Sequence, residues 1–491
     1  MDETQPLLQD AHLVFNERPD QASIKDVVDF NPDGDEENPL EWPQAYKWAI
    51  VALLALMAFT VTFTCISVVP VATRIVDDLD PGHASKSASV LLVTIWELGE
   101  AAGPLLIAPL SEVFGRYPVM NVANVLFITA TILAALSQST TLFIAARTLT
   151  GLAVASNVLN PAIVGDIFIS EQRGSAMSLI QLAPLIGGAV GPAISGAIAE
   201  TMGWRSTMWM CVILATTCEI VFLTCFRETY KVAILRRKAA RFRLETGNTT
   251  LRTAFDSDDG SKSEKLWDAI IRPFTVLAGS GVLQMLSLFG SITFTYFYIL
   301  VTTLPEILET TYGLSAAGAG SALISFSIGS AISVVICNQT LDRIYIRLRD
   351  SHKGVGQPEY RLPLVIVGGF TLPLVIAWYG WNAQLHVPIL LLLISVAIMG
   401  VALMFGFLPL YAYVVDAFGL YAASAMTAVI VTRCLAGTFL PLATTPLVNK
   451  FGYGKGLSIL GAATLLLAPI PVLVLRYGSK WRQGSKYTRA E

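Results

Sequence analysis

Glu97 and Glu100 stand three residues apart, on one face of any helix that holds them, within an apolar run from Ala88 to Leu110. A charge at the centre of a bilayer costs about 2.5 to 3.5 kcal/mol even on the lenient insertion scale, so acids in such a run are the first place to look for chemistry. Two carboxyls one turn apart repel each other when both are ionised. An acid whose access to an arginine changes between two states can take up a proton in one and release it in the other. Arg147, in the run Leu142 to Ile163, is the expected electrostatic partner. At 1.5 Å per residue Glu97 should lie roughly 14 Å and Arg147 roughly 9 Å below the same surface, a difference that long side chains span. Glu219 and Arg433, in apolar runs of their own, complete the proton-coupling candidates. The competing reading is that one acid merely caps a buried hydrogen-bond network.

Helices must position these groups. Apolar residues make up 54% of the chain and charged ones 14%, where a soluble domain carries about 25% charged. Stretches of roughly 20 apolar residues, enough to cross a hydrocarbon core of about 30 Å, run from Trp48 to Val69, Ala88 to Leu110, Val119 to Leu136, Leu142 to Ile163, Ala176 to Ile198 and Met208 to Phe226. A second set runs from Val276 to Leu304, Ala316 to Leu341, Leu364 to Trp381, Val387 to Leu410, Ala422 to Leu447 and Leu457 to Leu475. Lipid cannot satisfy a peptide group, so the expectation is an all-α membrane protein of twelve spans. The division expected is a tail (1–45), a six-span half (46–228), a polar linker (229–272), a second half (273–477) and a final tail (478–491).

The two halves repeat each other. Asp166-Ile167-Phe168 precedes Ser175-Ala176-Met177, Gly188 and Pro192, as Asp416-Ala417-Phe418 precedes Ser424-Ala425-Met426, Gly437 and Pro441. Gly99 and Glu112 are echoed by Gly329 and Asp342. Two repeated membrane units most often make a transporter, with its site between them. Lys231, Arg236, Arg237, Lys238, Arg241 and Arg243 make the linker basic, which assigns it, and both termini, to the cytoplasm. The sequons at Asn248 and Asn338 are then not expected to be glycosylated. The linker reads as a basic amphipathic segment on anionic lipid, followed by a flexible Asp/Ser/Gly part from Asp256 to Ser263. The six cysteines lack any Cys-x-x-Cys pair and read as packing residues, with no disulfide or metal site.

Several stretches resemble the major facilitator superfamily and, within it, the fungal drug:proton antiporters with twelve spans. Pro109-Leu110-Ser111-Glu112-Val113-Phe114-Gly115-Arg116 is similar to the signature loop between spans two and three, Arg147-x-x-x-Gly151 to the fourth-span motif, and Gly187-x-x-x-Gly191-Pro192-x-x-Ser195-Gly196 to the antiporter motif. Asn38-Pro39-Leu40-Glu41-Trp42-Pro43, Arg227-Glu228-Thr229-Tyr230 and Val414-Val415-Asp416-Ala417-Phe418 resemble fungal members in particular. The likeness covers Asn38 to Tyr487. It departs from the family pattern at Ala108, Val113 and Tyr117, and in the lack of a first-span acid.

The resemblance implies two pseudo-symmetric six-helix halves and a cytoplasmic gate in which Glu112 pairs with Arg116 beyond the turn at Gly115. Asp342 and Arg343 are the matching residues of the second half. Asp166 and Asp416, near helix ends, are expected to pair with loop arginines such as Arg173 or Arg343. Pro184, Gly187, Gly191, Pro192 and Gly196 would let span five press against its partner from the other half and pivot there. Tyr296, Tyr298, Phe405 and Tyr411 are candidate walls of a cavity for bulky molecules.

The function expected is proton-coupled efflux of a toxin, secondary metabolite or drug by alternating access. No cofactor beyond the proton gradient is expected, nor any nucleic-acid partner, and the chain is expected to act as a monomer. The alternatives are a symporter or uniporter importing a nutrient, and a polyamine exporter. A multispan enzyme or receptor would need a catalytic constellation or an ectodomain, and neither is found. The cell membrane is the expected location, with Glu3 to Leu7-Leu8 as an acidic dileucine pattern that leaves vacuolar or endosomal membranes open.

Overall fold

The computed structural model of the protein describes residues 27–31, 34–81, 85–169, 172–253, 255, 262–352 and 354–488. The dileucine pattern at Leu7-Leu8 and most of the Asp256 to Ser263 run lie outside them. Span 1 is Gln44–Ile66, continued through a short 3-10 turn into Ala72–Leu79; span 2 is Lys86–Phe114 and span 3 Arg116–Ala135. Span 4 is broken, as Thr140–Leu152 and Ser156–Ile167; span 5 is Arg173–Met202 and span 6 Trp204–Cys225. Two linker helices follow, Lys231–Thr246 and Lys262–Ala278. Spans 7 to 10 are Gly281–Tyr312, Ala316–Ser351, Pro363–Gln384 and Ile389–Phe418.

Among the described residues eleven stretches are long and apolar enough to cross a membrane, the last of them Ala422–Gln483. Its 62 residues would make a helix of roughly 90 Å, far beyond one bilayer core. Gly452, at φ 76° and ψ 171°, turns the chain back. Span 11 is thus Ala422–Phe439 with its continuation before that turn, and span 12 runs beyond it to the helix Pro469–Gln483. The fold is the twelve-helix, all-α arrangement.

Packing repeats as the sequence does. Span 1 lies on span 5, span 2 on span 4, and span 3 on spans 4 and 6; span 7 lies on span 11, span 8 on span 10, and span 9 on spans 10 and 12. Between the halves, span 5 meets span 8 and span 2 meets span 11. On the 5–8 seam, an added Cβ at Gly196 would stand 2.5 Å from the Ala316 carbonyl oxygen, and one at Gly320 would overlap that of Pro192. The Glu200 carboxylate accepts the Ala317 amide there at 2.9 Å, and Lys86 on span 2 bonds Glu306 on span 7 at 2.5 Å. These contacts all lie far from the linker. Among the described residues no ion pair joins the two six-span halves at the linker end, the basic end.

Gly187 and Gly191 depart from expectation. Added Cβ atoms would stand 2.8 Å from the Phe59 carbonyl oxygen and 3.3 Å from that of Phe63, both on span 1. They bind span 5 into its own half, whereas Pro192, the next residue, and Gly196, a turn further along, reach the other one.

The linker also differs from its expected form. Val276 belongs to the second linker helix, which packs on spans 2, 7 and 11, and span 7 begins only at Gly281, behind Ser280 as its N-cap. The basic first linker helix meets the acidic tail: Lys238 pairs with Asp35, Arg241 with Glu37 at 3.0 Å and Lys231 with Asp29 at 3.5 Å. Burial works against the Asp35 carboxylate, but the Lys238 ammonium and the amides of Glu37 and Asn31 outweigh it and hold its pKa below the ordinary value. Val27–Val28 and Arg252–Thr253 pair as two short parallel strands. Much of the helix's charge is therefore met by the tail rather than left for lipid.

The two classes of glycine should separate experimentally. Gly187→Leu is expected to wedge spans 1 and 5 apart and lower the melting temperature by several degrees. Gly196→Leu is expected to leave both halves folded while holding the end far from the linker open. An impermeant maleimide added at that end should then label a cysteine introduced at Ser327 faster than in the parent; equal labelling would contradict the seam described here.

Candidate functional site

The buried acids of span 2 gather partners from three other spans. Glu97 accepts a hydrogen bond from the Tyr298 hydroxyl at 2.7 Å, and its Oε2 is buried with no partner among the described residues. Glu100 accepts from Trp96 Nε1 at 3.2 Å, from Asn157 Nδ2 at 2.8 Å and from the Arg433 guanidinium at 3.5 Å. Arg433 in turn donates to the Tyr411 hydroxyl at 3.0 Å and lies 4.2 Å from the centre of the Phe294 ring. Ligating atoms of Glu97, Glu100 and Cys434 fall within 4.8 Å of one another. A metal there would compete with the arginine already on Glu100.

Arg147 is not the partner of these acids. It donates to the carbonyls of Thr64 at 3.2 Å and Cys65 at 2.7 Å, and stacks 4.6 Å from the Trp96 ring. Depth along the membrane normal put it within side-chain reach of Glu97, but its direction around the helix axis turns it towards span 1. Gly151 explains its fit: an added Cβ would overlap the Trp96 carbonyl oxygen, so only glycine lets spans 4 and 2 close on the stacked pair.

Beside this cluster lies a cavity of about 260 Å³ between the halves. Its lining is apolar and aromatic, with Phe294, Phe297, Phe326, Phe407 and Tyr411, and Arg433 is the one charged residue on it among those described. Pro184 and Gly188 of span 5 contribute to the opposite wall. Of the four aromatic residues expected there, only Tyr411 lines it. Tyr296 bonds the Leu460 carbonyl at 2.6 Å and the Thr464 hydroxyl, against span 12. Tyr298 serves Glu97, and Phe405 packs at Gly368 of span 9. The helical spacing of Phe294, Phe297 and Val301, and of Met404, Phe407 and Tyr411, carried the correct face.

At the basic end each half carries an arginine clasp. Arg116 meets Asp166 at 3.4 Å and Ser111 at 2.5 Å, and stacks on Tyr230 at 4.5 Å. Glu112 is exposed and not bonded to it, because Gly115, at φ 99°, turns the chain sharply between them. Arg361, which sequence reasoning missed, answers in the second half with Asp416 at 2.9 Å and Asp342 at 2.5 Å. Arg343 takes no part in this clasp, and Arg173 donates to the carbonyls of Phe168 and Gly165 rather than to Asp166. Glu228 was also missed as a site residue. Its carboxylate accepts the amides of Arg116 at 2.8 Å, Tyr117 at 3.3 Å, Thr229 at 3.1 Å and Tyr230 at 3.0 Å, capping span 3. Glu219 lies elsewhere, inside the first half, bonded to Asn124 at 2.6 Å.

A family model described as Major Facilitator Superfamily matches residues 49–441. The chain belongs to that superfamily. This facilitator is 34% identical over 463 residues to the efflux pump radE of Floropilus chiversii, covering 94% of this chain and 86% of that one. It is 33% identical over 454 residues to the MFS transporter cpaT of Aspergillus oryzae, covering 92% and 91%. Among solved structures, the partially occluded inward-open xylose transporter XylE from E. coli aligns with a TM-score of 0.65 at 17% identity, over 88% of this chain and 98% of that one. That likeness speaks for the fold. The protein is a multi-pass membrane transporter of small molecules, not an enzyme.

Because Glu228 satisfies four backbone amides, Glu228→Ala should destabilise the first half by about 2 kcal/mol. A melting temperature in detergent lower by a few degrees would show it; an unchanged value would mean that solvent caps span 3 equally well.

Proposed function

We propose that this transporter is a proton-driven exporter of small, apolar, aromatic compounds such as secondary metabolites, working by alternating access with its basic end in the cytoplasm of a fungal cell. The observation that carries the reading is Arg433, which joins the buried acid Glu100 to Tyr411 on the cavity wall. While Glu100 is ionised it holds Arg433, and Arg433 holds the Tyr411 oxygen, so the Tyr411 O–H proton is free to donate to an acceptor on the cargo. Protonation of Glu100 removes the anion and loosens both. Proton and cargo thus oppose each other through one guanidinium, which is the requirement for exchange. Glu97, one turn away, shares the proton with Glu100.

The reading is supported by the relative whose name is efflux pump and by the apolar lining, which suits an aromatic cargo. A sugar importer would need many polar groups in the cavity, and a polyamine exporter would need carboxylates facing it. Contacts between the halves at the end far from the linker agree with an inward-facing state. The energy source is the proton gradient alone, and a single chain holds both halves of the site. The plasma membrane is the proposed location.

In proteoliposomes carrying an imposed pH gradient, Glu97→Gln with Glu100→Gln should retain downhill exchange of a compound the wild type concentrates, yet fail to move it uphill. Tyr411→Phe should weaken cargo binding about fivefold, the worth of one hydrogen bond, with coupling intact. Full gradient-driven transport by the double variant would rule out this assignment of the coupling acids.

A further inference from the structure

Glu219 takes no part in the cluster just described. It is 4% exposed, on span 6, and faces a small void of about 20 Å³ between spans 1, 3, 4 and 6. Its Oε2 accepts from Asn124, while its Oε1 has no partner among the described residues. Ser156 lines the same void, 3% exposed, and its hydroxyl is also without a partner. A void of this size exceeds the 10 to 15 Å³ or so that one water needs, and the two unmatched atoms with Asn124 supply the two to four partners it requires.

Among the described residues no cation comes near. Lys47 of span 1 bonds the Leu40 carbonyl, Arg116 of span 3 meets Asp166, and Arg147 of span 4 holds span 1 carbonyls. Span 5 carries only Arg173 and Glu200, at its two ends. The remaining titratable neighbour is the thiol of Cys218, beside Glu219 on its own span. An ionised carboxylate in such a place would be an unpaired charge within the membrane, whereas a protonated one can donate to a water or to Ser156.

The break in span 4 gives the void its meaning. Ser156, the first residue after the break, lines it, and Asn157, the next residue, bonds Glu100. Consecutive residues of one chain segment therefore touch the surroundings of two buried acids. We propose that Glu219, Asn124 and Ser156 form a second protonation site holding one water molecule, linked to the central acids through the broken segment of span 4. That Glu219 carries a proton is independent of the exchange mechanism proposed above; only the link to Glu100 rests on it.

Infrared difference spectra of the purified full-length protein in lipid, between acid and alkaline buffer and in light and heavy water, test both parts. The carbonyl band of a protonated, exchangeable carboxylic acid should be lost in Glu219→Gln, shifted in Ser156→Ala, and retained in the Glu97→Gln and Glu100→Gln double variant. Titration with an indicator dye should count one proton fewer per chain in Glu219→Gln. A Glu219→Gln spectrum identical to wild type would overturn the site, as would an unmoved band in Ser156→Ala, which keeps the fold if Glu219→Gln does not. The link predicts that Glu219→Gln also moves the pH midpoint of the central acid band; a midpoint that stays put would overturn the link.

Discussion

A guanidinium is a cation at every accessible pH, and in hydrocarbon it must be kept in company. Around Arg433 the centre of this transporter is arranged to do so. Glu100 and Tyr411 each take one of its two terminal nitrogens and Phe294 covers its face. Glu100 is itself held by Trp96 and Asn157, and Trp96 lies against Arg147, whose own donors close on span 1. One buried charge thus ties together spans 11, 10, 7, 2, 4 and 1, across both halves. A change at Glu100 would therefore reach the cavity wall through Tyr411 and the backbone of span 1 through Trp96 and Arg147 alike.

The polar contacts are unequally divided between the two ends. At the basic end the arginine clasps of Arg116 and Arg361 are internal to their halves, so they stiffen each six-span unit without binding it to the other. At the opposite end the halves meet through backbone-deep glycine contacts and three polar links among the described residues, Lys86 with Glu306, Glu200 with Ala317 and the Thr94 hydroxyl with the Thr438 carbonyl. Rocking of the halves requires that seam to part while the clasps stay closed. The repeat is thus a repeat of rigid bodies, with the adjustable contacts placed between them.

Span number, repeat and the membrane acids were legible because hydropathy and charge are properties of residue type. Facing was not. Arg147 and Arg433 are alike on paper, and only rotation about their helices sends one to span 1 and the other to Glu100. Tyr296 and Tyr411 differ in the same way, although the spacing of Phe294, Phe297 and Val301 marked the cavity face. Pairs such as Arg361 with Asp416 join residues far apart in the chain, and no local pattern reports them. Glu112 and Arg116, neighbours in sequence, are separated by a φ of 99° at Gly115. The tail clasping the linker was equally hidden, since its acids and the basic helix lie on either side of six spans.

That clasp orders the events of synthesis. Val27–Val28 can find Arg252–Thr253 only after the whole first half and the first linker helix have left the ribosome, and closing so long a loop carries an entropic cost that grows with its length. The acids of the tail remain unpaired until then, and their engagement marks a completed first half. Both partners of this contact precede the second half in the chain, so the clasp can close before any of the last six spans has been made.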